Sequence, residues 1–141
     1  MNEIRFNIQH GEFGNLVVPL IDGKSLITIL KETELPFAKK EGNPKIAGAY
    51  NGIPKGVVKL PSQHLLGEPE QLYSYDGKSS VLECECGEPG CWSFITKIAV
   101  DEKRISWSNF EQIHRPNWKY DLIGEFTFDK KRYEQALNKI I

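Results

Sequence analysis

This chain predicts an α+β domain: an antiparallel sheet running as a meander over about residues 71–110, flanked by one or two helices. Three observations lead there. Between Leu72 and Phe110, short segments of alternating apolar and polar residues are separated by turn residues, the pattern of successive half-buried strands. Beyond Asp129, a residue suited to an N-cap, Tyr133, Ala136, Leu137 and Ile140 follow helical spacing. A length of 141 residues with 40% hydrophobic content is enough for one core and crowded for two, so residues 1–141 read as a single domain.

At the N-terminus, Ile4, Phe6 and Ile8 alternate with polar residues and predict a first strand, with Leu16 to Ile21 as a second and a turn at Asp22-Gly23. From Ser25, the order Leu26, Ile27, Ile29, Leu30 predicts a short helix. It is expected to end near Glu34, because Pro36 disfavours helical geometry at the residue before it.

Residues 36–69 carry five of the eight prolines, interleaved with glycines, and predict an irregular segment. Its apolar residues, among them Ile46, Tyr50, Ile53 and Val58, argue that it packs down onto the domain. Tyr50 and His64 are the candidate lining of a ligand pocket there. Buried Tyr and His without any ligand are the commoner case.

The meander begins at Leu72–Tyr75, turns at Asp76-Gly77, a strong hairpin signal, and continues through Ser80–Cys86. Trp92, Phe94, Thr96, Ile98 and Val100 form one face of the next strand, and Ile105 and Trp107 belong to the one after. The C-terminal helix is expected to cover the sheet.

All three cysteines fall in Leu82-Glu83-Cys84-Glu85-Cys86-Gly87-Glu88-Pro89-Gly90-Cys91-Trp92. Glu88-Pro89-Gly90-Cys91 has the residues of a type II turn, with Pro second and Gly third. On a regular strand Cys84 and Cys86 share a face with Leu82, while Glu83 and Glu85 share the other. Cys91, just past the turn, returns beside them.

Three readings of that cluster stand together. In the first, Cys84, Cys86, Cys91 and His114 hold a structural zinc in a closed tetrahedron of three sulfurs and one nitrogen. Two ligands at i and i+2 on a regular strand lie far apart for one ion, so this reading needs a bulge near Gly87. In the second, the cysteines are small core residues beside Leu82 and Trp92. In the third, Cys91 or Cys86 is a nucleophile or redox thiol with His114 as base; the local acidity opposes it, since it raises a thiol pKa.

Net charge is −1, but eight basic residues face six acidic ones over 1–60, two face eight over 61–102, and eight face five over 103–141. The cysteines lie in the acidic block, which suits a cation and not an anion. Arg104, Trp107, Arg115, Trp118 and Lys119 mix basic and aromatic residues, yet the excess is too slight to point to nucleic acid. No phosphate-binding loop, H-E-x-x-H or G-x-S-x-G is present. The sequence shows no secretory signal and no membrane-length apolar run, so a cytoplasmic protein is expected, where an odd number of cysteines argues against a disulfide framework.

Cys-x-Cys-Gly-Glu-x-Gly-Cys-Trp at 84–92, Trp107-x-x-Phe110, His114-Arg115-Pro116, and Gly124-x-Phe126-x-Phe128-Asp129 with Tyr133 resemble a family of small uncharacterised bacterial proteins over roughly residues 79–137. The resemblance implies one folded unit with a recurrent motif, and no activity or cofactor. The expected function is a small non-enzymatic binding or accessory domain for an unidentified protein or small molecule. The alternative is an enzyme using a Cys/His site or a pocket built from the Pro/Gly-rich segment.

Overall fold

The computed structural model describes residues 1–12 and 14–141. Strands β1 (Ile4–Gly11) and β2 (Gly14–Ile21) pair antiparallel from Ile4↔Ile21 to Gly11↔Gly14. Asp22 and Gly23, both at positive φ, make the two-residue turn into β3 (Lys24–Ser25). Such primed turns match the twist of the strands they join.

The Ser25 hydroxyl accepts from the Ile27 N–H and caps α1 (Leu26–Lys40). The helix does not stop near Glu34, as the proline predicts, but runs on through Pro36. Tertiary packing outweighs the local cost. The extra turn buries Ala38 and lays Phe37 on Trp118, while Leu26, Leu30 and Glu34 are buried on the same stripe.

The segment after α1 contributes two very short strands, β4 (Tyr50–Asn51) and β5 (Ile53–Pro54), then α2 (Lys55–Val58). Next come β6 (Ser74–Tyr75), β7 (Lys78–Cys84), β8 (Phe94–Val100) and β9 (Arg104–Gln112), each antiparallel to its neighbour in sequence. The expected meander is therefore present, with Asp76 and Gly77 at positive φ in its first turn. Strand β10 (Phe126–Asp129) adds to β9, and Asp129 caps α3 (Lys130–Asn138) by accepting the Arg132 N–H.

The sheet is more than a meander with helices on its flanks, because it curls back on itself. At one margin, consecutive strands β4 and β5 pair with β7 and β2 respectively, and so tie the two strand groups together. Gly52 lies at this crossing, where a Cβ would overlap the Val17 backbone. At the other margin Asn2 bridges to Phe128 in parallel: its N–H donates to the Thr127 carbonyl at 2.7 Å, and its side chain accepts the Thr127 N–H at 3.0 Å.

Inside the curl Phe94, Trp107, Phe128 and Tyr133 form a fully buried aromatic core. Helix α3 packs on β1, β9 and β10. The Tyr133 hydroxyl donates to the Leu65 carbonyl at 2.6 Å and accepts the Trp107 indole N–H at 3.0 Å. Among the described residues no helix is long and apolar enough to cross a membrane.

Candidate metal centre

Strand β7 ends at Cys84 and does not continue to Cys86. Gly87 turns the chain there with φ 84°, and its N–H donates back to the Cys84 carbonyl at 3.0 Å. Left-handed backbone of this kind is open to glycine at little cost. The obstacle posed by an i, i+2 pair on a straight strand is thus removed by a turn, and no bulge at Gly87 is needed; the irregularity in the β7–β8 ladder lies between Ser80 and Leu82.

A second turn follows. Gly90 has φ 84° and the Cys91 N–H donates to the Glu88 carbonyl at 3.2 Å. The two turns bring the ligand atoms of Cys84, Cys86 and Cys91 within 4.8 Å of one another. Cys86 also donates its N–H to the Cys84 sulfur at 3.4 Å. A backbone donor aimed at sulfur stabilises the thiolate over the thiol.

Cys84 is partly buried, whereas Cys86 and Cys91 are exposed. Burial pushes the Cys84 thiol up to about 12. The exposed Cys86 thiol is held below its usual value by the Glu88 backbone N–H and then by the neighbouring thiols. A cation bound by all three sulfurs must displace the Cys84 proton.

Two side chains brace the turn that carries Cys91. Glu83 lies on the face of β7 opposite Leu82 and is nevertheless buried, because β7 is covered on both faces. Its carboxylate accepts from Ser80 Oγ, from Ser93 Oγ at 2.9 Å and from the Gly90 N–H at 3.4 Å. Burial raises its pKa, opposed in part by these donors.

His114 lies on the other side. Its Nε2 donates to the Gly90 carbonyl at 2.9 Å, and its ring stacks on Trp92 with centroids 6.1 Å apart. It is not part of the group of mutually close ligand atoms, which comprises the three cysteines. Arg115 extends the stack, its guanidinium 5.0 Å from the Trp92 ring and paired with Glu41 at 3.0 Å.

Tyr50 and His64 belong to two separate buried networks. Tyr50 donates its hydroxyl to Glu34 at 2.6 Å, beside Tyr120 at 2.7 Å and the Gly48 N–H at 2.8 Å. His64 Nε2 donates to the Ser80 carbonyl at 2.7 Å and Nδ1 accepts the Glu70 N–H at 3.0 Å, which defines a neutral ring. Burial lowers the His64 pKa accordingly.

Glu34 was the residue most open to discovery from sequence. It continues the i, i+4 stripe Leu26, Leu30, Ala38, so a carboxylate stood on a buried helical face. A scan against protein-family models and searches of curated proteins and solved structures found no match, so a functional reading rests on the three-sulfur geometry alone.

Proposed function

We propose that this protein is a small non-enzymatic binding or accessory domain built around a structural zinc, with Cys84, Cys86 and Cys91 as ligands. The observation that carries this reading is the convergence of three sulfurs within 4.8 Å on consecutive glycine turns. Zinc–sulfur bonds of about 2.3 Å in a tetrahedron place sulfurs about 3.8 Å apart, a separation small side-chain rotations reach from here. Exposed Glu85 and Glu88 add negative charge on the same loop, which favours a cation. His114 and Glu83 serve from outside the sulfur cluster by fixing Gly90.

Metal analysis of protein purified without an affinity tag tests the proposal. The expected result is about one zinc per chain, abolished by Cys84→Ser, Cys86→Ser or Cys91→Ser, with similar losses of melting temperature because each removes a ligand from one ion. Folded, metal-free wild type that ignores chelator overturns it.

A second reading, chemistry at sulfur, is favoured by the exposure of Cys86 beside two further thiols, where the Glu88 backbone N–H holds its thiol below the usual value. It requires metal-free Cys86 to react with iodoacetamide faster than a free cysteine at neutral pH.

A further inference from the structure

Building on the zinc reading, we infer that the centre is open: the three cysteines are all the ligands the chain supplies, and the fourth position accepts a neutral nitrogen donor of the imidazole class from another molecule. The neighbouring side chains are committed elsewhere. His114 spends its Nε2 proton on the Gly90 carbonyl and stacks on Trp92, and Glu83 faces inward to Ser80, Ser93 and Gly90. Among the described residues, the three cysteines form the only cluster of metal-ligating side chains at this spacing.

Access narrows the choice of donor. A crevice lined in part by Cys84, Glu83, Gly87 and Tyr73 holds about 30 Å³. That is room for a water or two and not for an imidazole-sized ligand. Any bigger ligand arrives past exposed Cys86 and Cys91.

Charge decides the class. Three thiolates already exceed the two positive charges of zinc, and exposed Glu85 and Glu88 lie on the same loop, so a neutral donor is favoured over a further anion. Zinc takes nitrogen as readily as sulfur, and imidazole adds no charge. The donor is a histidine of a different molecule or of a second copy of this chain, whose exposed His10 sits on the β1–β2 hairpin.

Cobalt(II)-substituted, tag-free protein tests this with imidazole as the probe. Imidazole should shift the visible d–d bands saturably while the sulfur-to-metal charge-transfer band persists, and azide at equal concentration should leave them unchanged. His114→Ala, loaded at saturating cobalt, should also shift with imidazole. A cobalt dimer that disappears in His10→Ala identifies the second copy as donor, whereas a monomer that responds to imidazole assigns the donor to a different molecule. Monomeric protein whose cobalt ignores imidazole, an equal shift with azide, or an imidazole shift seen only in His114→Ala overturns the open centre and leaves the metal reading standing. Failure to bind cobalt or zinc at all removes both.

Discussion

Glu83 and His114 grip Gly90 from opposite sides, the carboxylate taking its N–H at 3.4 Å and the imidazole its carbonyl at 2.9 Å. Neither residue needs to touch a cation to govern where Cys91 stands. Outer residues that orient ligands typically contribute about 10- to 100-fold to metal affinity. His114→Ala should therefore weaken zinc binding by about tenfold, measured by competition with a chromophoric chelator, while stoichiometry stays at one. Complete loss of bound metal would make His114 a ligand and not a brace.

Gly52 marks the point where the two strand groups meet, and it has no space for a side chain against the Val17 backbone. Gly52→Ala should cost at least about 3 kcal/mol in urea unfolding, at the upper end of overpacking, since backbone and not a flexible side chain must yield. Gly56→Ala, with nothing nearby, is the control and should change stability by less than about 1 kcal/mol. Equal effects would mean the crossing is looser than described.

Tyr133→Phe deletes one oxygen and strands two buried groups, the Leu65 carbonyl and the Trp107 indole N–H. We expect a loss of about 2–3 kcal/mol, because an unsatisfied buried partner costs more than the bond itself contributes. A change under about 0.5 kcal/mol would show that neither group depends on the hydroxyl.

Glu34 titrates against the fold. Burial raises its pKa above the ordinary 4.5, with the Tyr50 hydroxyl, the Gly48 N–H and the Tyr120 hydroxyl opposing. Its folded value thus exceeds its unfolded value, so the stability it contributes is complete below pH 4.5 and declines as pH rises through the raised value. The melting temperature of wild type minus that of Glu34→Gln should fall between pH 4.5 and neutrality, the shared shifts of Glu83 and His64 cancelling in the difference. A difference that grows with pH would reverse the assigned direction.

What the sequence revealed follows the range of each interaction. The Asp22-Gly23 and Asp76-Gly77 turns, the meander and the Asp129 cap are local, and all were legible. The continuation of α1 past Pro36 was not, because what sustains it is Trp118 stacking on Phe37 and accommodating Glu41, 77 residues from Trp118. The burial of Glu83 was not legible for the same kind of reason: strand periodicity assigns a face but not what covers it. The cysteine cluster was legible as a set of sulfurs near a turn. Its geometry depended on where β7 stops, which Gly87 decides.

The seam between Asn2 and Thr127 joins residues 125 apart in the chain. Closing so long a loop has an entropic cost that contacts repay only once formed, which slows folding. The β7–β8 hairpin needs no such closure. Its three sulfurs lie within eight residues of one another, so under the proposed metal reading the hairpin can capture a cation while the ends of the chain are still apart. Zinc supplied during refolding should therefore accelerate the first kinetic phase, and zinc supplied after that phase should leave the closure of the seam at its metal-free rate.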